Sequence, residues 1–238
     1  MSQQGRFFIV NAGAGVRENI TLKGYRILQS ADLVIASEGQ RKQFAEDLAG
    51  KEVIDGGHGL FTDLALRRLS EEEAERQQAV ILEKLNDAHA AGKTIVLLES
   101  GDIGLFSPYR GYLSAFRHLK PELIPGVSSF NAANAALAQP LLDKQTQRLQ
   151  LSGLKALMEA DPQCLPDTWV LFCMGLELAV VISRIQSLYP ADTVVGFVIN
   201  AGYDDCEVIR CAVADLGRYA DKDVSFAYCM LYIGLDGL

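Results

Sequence analysis

A chain of 238 residues with 49% hydrophobic and 22% charged side chains has ordinary globular usage, and its length suits one large domain or two small ones. A formal net charge of −8 argues against a general nucleic-acid binder, which carries a basic excess or patch, while leaving room for a local basic pocket. No apolar run approaches the roughly 20 residues needed to cross a bilayer, so neither nucleic acid nor membrane is an expected partner.

Phe7 to Val10 reads as a compact apolar strand, followed by the glycine loop Asn11-Ala12-Gly13-Ala14-Gly15. Thr21 is an N-cap for a predicted helix from Leu22 to about Gln29. Asp32 to Ala36 reads as the second strand, with a polar helix over roughly Gln40 to Leu48 and a short strand at Glu52 to Asp55 after it. Next come Gly56-Gly57-His58-Gly59 and a capping-box pattern, Ser70 with Glu73, opening a long helix. Ala74, Ile81, Leu85 and Ala88 share one face of that helix at helical spacing.

Thr94 to Leu98 is apolar and β-branched, as expected of a strand buried on both faces of a parallel sheet. It breaks into Glu99-Ser100-Gly101-Asp102, where glycine permits a backbone approach that a side chain forbids. In open α/β sheets ligands lie beyond the carboxyl ends of strands, so this turn offers a fixed carboxylate and exposed peptide groups to a small polar ligand. A helix near Tyr109 to His118, a strand at Glu122 to Ile124, the turn Pro125-Gly126-Val127-Ser128-Ser129 and an alanine-rich helix from Phe130 to Ala138 follow. Alternating strands and helices predict a doubly wound α/β domain over residues 1–140.

After Pro140 the pattern changes. A polar, linker-like stretch from Leu141 to Gln147 leads to a strand at Trp169 to Met174 and a helix at Leu176 to Leu188. Strands at Thr193 to Ile199, Glu207 to Val213 and Ser225 to Ile233 close the chain. This predicts a smaller α+β domain over 141–238, with some antiparallel pairing and a cleft between the two domains.

The five cysteines fall in the last third with no Cys-x-x-Cys spacing. Cys173 and Cys229 lie in apolar runs, where a reduced buried thiol is expected. The odd count and the absence of a signal-peptide pattern predict a reducing cytoplasm. No zinc, Walker or nucleophile-elbow pattern occurs, so no metal is expected. A dinucleotide fingerprint requires a third glycine after Gly13 and Gly15, and that position is Glu18. His58, between glycines, is a candidate ligand or acid/base group, with a plain surface or core role as the alternative.

Taken together, the loops resemble the S-adenosylmethionine-dependent tetrapyrrole (corrin/porphyrin) methylases over nearly the whole chain. The family's Gly-x-Gly-Pro-Gly-Asp loop falls on Asn11 to Val16, its Leu-Thr-Leu-Lys helix start on Ile20 to Lys23, and its Ala-Asp-Leu-Val strand start on Ala31 to Val34. Its Gly-Asp-Pro loop falls on Gly101-Asp102-Ile103, and its turn of Pro-Gly, then Ile or Val, Ser or Thr, and Ser or Ala, is intact at Pro125 to Ser129. The resemblance implies two α/β domains with the cofactor, S-adenosylmethionine, in the cleft between them. Ala14, Ser100, Gly101, Asp102, Leu105, Ser128 and Ser129 then line the cofactor, with Met174 and Ala201 at the adenine. It also implies methyl transfer to a ring carbon of an anionic tetrapyrrole on the cobalamin or sirohaem side, and a homodimer. Arg17, Arg41, Lys42 and His58 are candidate substrate residues, the cations because they form charge-assisted pairs with carboxylates.

The departures are specific. Asn11 stands for the first loop glycine, Ala14 for the loop proline, Val16 for the aspartate, and Ile103 for the proline of Gly-Asp-Pro. Ala36-Ser37 replaces the Tyr-Asp of uroporphyrinogen methylases, whose aspartate is a proposed proton acceptor, so no catalytic base is named. Two other readings remain open. One is a same-fold methyltransferase for a peptide, protein or RNA group; the other is a non-catalytic binding protein.

Overall fold

The computed structural model describes residues 5–56, 58–61, 70–107, 111–144, 146–173, 177–221, 228–235 and 237, the side chains of residues 58 and 59 excepted. Contacts divide it into two compact units, Met1–Ser128 and Ser129–Leu238. Each is built on its own five-stranded sheet.

The first unit runs β1 (Arg6–Asn11), α1 (Leu22–Gln29), β2 (Leu33–Ile35), α2 (Glu38–Gln43), α3 (Ala45–Leu48), β3 (Glu52–Ile54), α4 (Glu71–Ala90), β4 (Thr94–Glu99), α5 (Gly111–Ala115) and β5 (Glu122–Ile124). All its strands are parallel, in the order β3-β2-β4-β1-β5. Such a sheet is covered on both faces, which is why its strands read as continuous apolar runs. Phe8, Val10, Val34, Val96 and Leu98 pack on one face with Leu28 of α1, Phe44 between α2 and α3, and Leu48 of α3. Phe7, Ile9, Leu33, Ile95 and Leu97 pack on the other with Ala74, Leu85 and Ala88 of α4 and Tyr112 of α5. The chain therefore leaves β1 toward one face and β4 toward the opposite face. Because these strands are neighbours, their carboxyl ends form the topological switch point, where a crevice opens in doubly wound sheets.

Local signals explain the helix boundaries. Thr21 accepts the Gly24 amide at 3.2 Å and starts α1 where the sequence predicts it. Ser70 accepts Glu73 N–H and starts α4. The single helix expected over Gln40 to Leu48 is instead two. A capping box between Ser37 and Gln40 starts α2 earlier, and Phe44, buried in the core, adopts φ −109° and breaks the run before α3. The predicted helix near Tyr109 to His118 is described only as α5 and a 3₁₀ turn at Arg117–Leu119; residues 108–110 lie outside the described part.

The second unit runs α6 (Ser129–Leu137), β6 (Leu149–Gly153), α7 (Leu154–Met158), β7 (Thr168–Phe172), α8 (Leu178–Leu188), β8 (Val194–Ile199), β9 (Glu207–Ala212) and β10 (Cys229–Leu235). Its sheet order is β6-β7-β10-β8-β9, with β6 and β7 parallel and the remaining pairs antiparallel. Helix α6, read from sequence as part of residues 1–140, packs here: Ala133 and Leu137 are buried with Val170, Phe172, Val198 and Met230. Tyr232 donates to Asn134 Oδ1 at 2.8 Å and fixes the helix further. Leu154, Leu157, Val181, Ile182 and Ile185 cover the other face against Trp169, Leu171, Phe197 and Leu231. Strand β6 and helix α7 escaped the sequence reading because Leu149-Gln150-Leu151-Ser152-Gly153 is a half-buried edge strand with little apolar content. Cys173, Cys211 and Cys229 are buried free thiols.

The helical spacing that set the inner face of α4 also fixes a stability contrast. Leu85 is fully buried while Val80 is 65% exposed. Leu85→Ala is expected to lose about 2–5 kcal/mol through lost burial and a cavity, and Val80→Ala to stay within about 0.5 kcal/mol of the parent. Urea unfolding followed by circular dichroism checks both.

Candidate active site

Three loops of the first unit meet at its carboxyl edge. The loop after β1 and the loop after β4 form an antiparallel bridge between Gly13 and Gly101, with Gly101 N–H donating to Gly13 O at 3.0 Å. Ala12 N–H donates to Glu99 O at 2.6 Å, and Ala14 N–H reaches Val127 O of the loop after β5 at 2.8 Å. Glycine is required where these backbones touch. A Cβ on Gly126 would lie 2.7 Å from the carbonyl oxygens of both Asn11 and Gly101. Gly101 has φ +66°, and the space where its Cβ would project is open.

Asp102 sits on this edge as the first residue of a turn closed by Leu105 N–H donating to Asp102 O at 3.0 Å. Its Oδ1 accepts Gly104 N–H at 2.8 Å, an Asx-turn bond, and lies 3.4 Å from Asn11 Nδ2. No hydrogen bond to Oδ2 occurs among the described residues. Ser100 is exposed, with its Oγ 3.4 Å from Gln40 Nε2. Leu105 is 46% exposed, and Ser128 is buried at the end of its turn.

The structure thus brings Ala14, Ser100, Gly101, Asp102, Leu105 and Ser128 to one edge of the first unit. Ser129 begins α6, and Ala201 is buried just beyond β8 beside Val198, Phe172 and Met230, both in the second unit. Met174 lies outside the described residues. His58 opens a 3₁₀ turn at His58–Phe61, and its side chain is likewise outside what is described.

The cations are engaged by carboxylates. Arg17 makes a bidentate pair with the buried Asp47, Nε to Oδ2 at 2.6 Å and the second nitrogen to Oδ1 at 2.8 Å, so the guanidinium holds the Asp47 carboxyl below its ordinary range. Gln29 adds a bond to Asp47 Oδ1 at 2.9 Å. Arg17 therefore ties the first loop to α3. Arg41 pairs with Asp55 at 3.0 Å and Lys42 with Glu38 at 2.7 Å, both in exposed settings that contribute little to stability.

Sequence reasoning missed the polar residues that support the edge. Asn11 is fully buried, donating to Ile124 O at 2.8 Å and accepting Ile103 N–H at 2.9 Å. Asn19 donates to Ala14 O at 2.6 Å, and Gln43 to Gly15 O at 2.7 Å. Only Gln40 carried a signal, because Ser-x-x-Gln at 37–40 is a capping-box spacing. Glu99 is 2% exposed at the end of the central strand, its Oε1 accepting Ser100 N–H at 3.1 Å. Among the described residues no cluster of His, Cys, Asp and Glu is arranged to hold a metal ion, and no helix is long and apolar enough to cross a membrane.

A family model for tetrapyrrole (corrin/porphyrin) methylases matches residues 6–217. The chain belongs to that family. A cobalt-precorrin-4 C(11)-methyltransferase of Methanocaldococcus jannaschii is 24% identical over 246 residues, covering 98% of this methylase and 89% of the relative. A probable cobalt-factor III C(17)-methyltransferase of Methanothermobacter thermautotrophicus is 31% identical over 130 residues, which is 53% of this chain and only 32% of that longer protein. The crystal structure of a uroporphyrin-III C-methyltransferase from Thermus thermophilus, complexed with S-adenosylhomocysteine, superposes with a TM-score of 0.69 at 19% identity, covering 97% of both chains. At that identity the likeness concerns the fold: two α/β units, as expected from sequence.

Burial gives this methylase an internal pH probe. It pushes the Glu99 carboxyl up from its ordinary 4.5 to about 7, against the opposing hydrogen bond from Ser100 N–H. Between those values the folded chain keeps a proton that the unfolded chain has released. The contribution to stability is therefore full below pH 4.5 and is lost as pH rises through 7, by about 3 kcal/mol at most. Glu99→Gln is expected to remove that decline in urea unfolding measured from pH 4.5 to 7.5. Parallel pH profiles for the two proteins would show that Glu99 does not titrate in this window.

Proposed function

We propose that this methylase transfers a methyl group from S-adenosylmethionine to a ring carbon of an anionic tetrapyrrole in cobalamin or sirohaem synthesis, and that the switch-point edge holds the cofactor. Family membership supports the reaction class. The observation that carries the location is the convergence of three glycine-pinned loops at the ends of β1, β4 and β5, leaving Asp102 Oδ2 and the exposed Ser100 hydroxyl at the same edge.

The residues present fit the cofactor's chemistry. Open space at the Gly101 Cα allows a ligand to approach the backbone closely. A carboxylate and a hydroxyl suit the ammonium and hydroxyl groups of the ligand, and Leu105 supplies an exposed apolar wall. Ala14 and Ser128 complete the edge; Ser129, Ala201 and Met174 take their places from the family resemblance alone. The bound cofactor supplies an electrophilic methyl group on a sulfonium. The chain's part is alignment of that methyl with the nucleophilic carbon and exclusion of water, and no residue is assigned as base. A cytoplasmic homodimer is part of the same proposal.

Calorimetry is expected to show S-adenosylhomocysteine binding at about one site per chain, with no binding of NADH. Asp102→Asn retains an acceptor for Gly104 N–H while removing the charge. It is expected to weaken that binding by about 1–3 kcal/mol with little change in unfolding midpoint. Tight NADH binding without S-adenosylhomocysteine binding would overturn the proposal.

The substrate class has its own test. Arg41 and Lys42 lie on α2, beside the same edge, and their exposed pairs with Asp55 and Glu38 are open to exchange for substrate carboxylates. Replacing both with Glu is expected to raise KM for a precorrin or sirohydrochlorin several-fold at unchanged cofactor affinity, the effect shrinking at high salt. If no such tetrapyrrole quenches Trp169 fluorescence of the parent at micromolar concentration, a non-tetrapyrrole acceptor replaces this reading.

A further inference from the structure

Asn11 and Ile103, which stand where the family resemblance places a glycine and a proline, meet in space. They lie 92 positions apart in sequence, yet Ile103 N–H donates to Asn11 Oδ1 at 2.9 Å. Proline has no N–H, and glycine has no side-chain oxygen to receive one. A glycine at 11 and a proline at 103 are therefore unable to make this bond.

The surroundings show what the bond does. Ile103 occupies the second position of the turn closed by Leu105 N–H and Asp102 O, where proline is favoured because its ring presets φ. Ile103 is 5% exposed, so its N–H is shut away from water and requires a protein acceptor. Asn11 supplies that acceptor from a fully buried side chain whose Nδ2 is itself anchored on Ile124 O at 2.8 Å and lies 3.4 Å from Asp102 Oδ1. One side chain thus links the ends of β1 and β5 to the turn that carries Asp102.

We propose that Asn11 is the positioning residue of the Asp102 turn, and that Asn11 and Ile103 form one reciprocal unit in which a buried hydrogen bond replaces the rigidity of a Gly/Pro pair. The proposal rests on reading that turn as part of the cofactor site. The two solutions exclude each other sterically and electrostatically. A proline ring at 103 puts a carbon where the N–H now meets Asn11 Oδ1, inside van der Waals contact, and strands that oxygen. A glycine at 11 leaves the Ile103 N–H buried without an acceptor, a loss of the kind that costs more than the bond itself contributes.

The test is a double-mutant cycle of Asn11→Gly, Ile103→Pro and the double variant, read by S-adenosylhomocysteine affinity and by unfolding midpoint. Each single change is expected to weaken binding by about tenfold or more, and the double variant to return to within about threefold of the parent. A double variant as impaired as the product of the singles would overturn the unit. Singles that unfold earlier yet bind the ligand with parental affinity would overturn the positioning role and leave only a structural contact. If a single variant does not fold, the double variant compared with the parent, together with hydrogen-exchange protection of the Ile103 amide in the parent, decides the same question; a rapidly exchanging amide or an impaired double variant overturns the proposal. If the parent itself fails to bind S-adenosylhomocysteine, the cofactor reading falls. The unfolding-midpoint cycle then still shows whether the two residues are coupled, and additive midpoints overturn the unit.

Discussion

The seam between β1 and β4 is the constraint on which the first unit depends. The strands run in parallel register from Arg6 opposite Thr94 to Asn11 opposite Glu99, and their loops then part toward opposite faces of the sheet. A seam that ends in divergence needs its last backbone groups pinned, because nothing beyond continues the ladder. Ala12 N–H on Glu99 O and Gly101 N–H on Gly13 O provide that closure. The glycines follow from it. Backbones this close leave no room for a Cβ at Gly126, and Gly101 adopts a backbone angle that other residues rarely tolerate.

Polar side chains are buried around this seam for the same reason. Asn11, Gln40, Glu99 and Ser128 are all nearly inaccessible, although burial of such groups is costly unless they are hydrogen-bonded. Asn11 meets that condition through Ile124 O and Ile103 N–H, and Gln40 through its capping box. Glu99 accepts Ser100 N–H, and burial in addition raises its affinity for a proton. Charges nearer the surface hold the scaffold. Arg17 fixes a buried carboxylate on α3, and in doing so orders the chain leaving the first glycine loop.

The second unit solves another packing problem. Its sheet joins one parallel pair, β6 with β7, to an antiparallel set centred on β10. The parallel pair needs a crossover, which α7 begins, whereas the antiparallel strands need none. Both faces are covered, by α6 on one side and by α7 and α8 on the other. That arrangement explains why Val170 to Phe172 and Val195 to Ile199 are continuously apolar.

How much was legible follows from the range of each interaction. Strand and helix alternation, the caps at Thr21 and Ser70 and the inner face of α4 are properties of residues a few positions apart, and the sequence alone determined them. Spacing and glycine content likewise marked the loops after β1, β4 and β5, and their order gave the family. The break at Phe44, the edge strand β6 and the attachment of α6 to the second sheet depended on burial by distant residues, which local pattern does not carry. The same holds for the supports of the site. Asn11 and Ile103 read as two unrelated departures along the chain, and Arg17 as a free cation. Only the tertiary structure decided otherwise, because it brought a buried amide oxygen to an N–H 92 residues away and a carboxylate to a guanidinium 30 residues away.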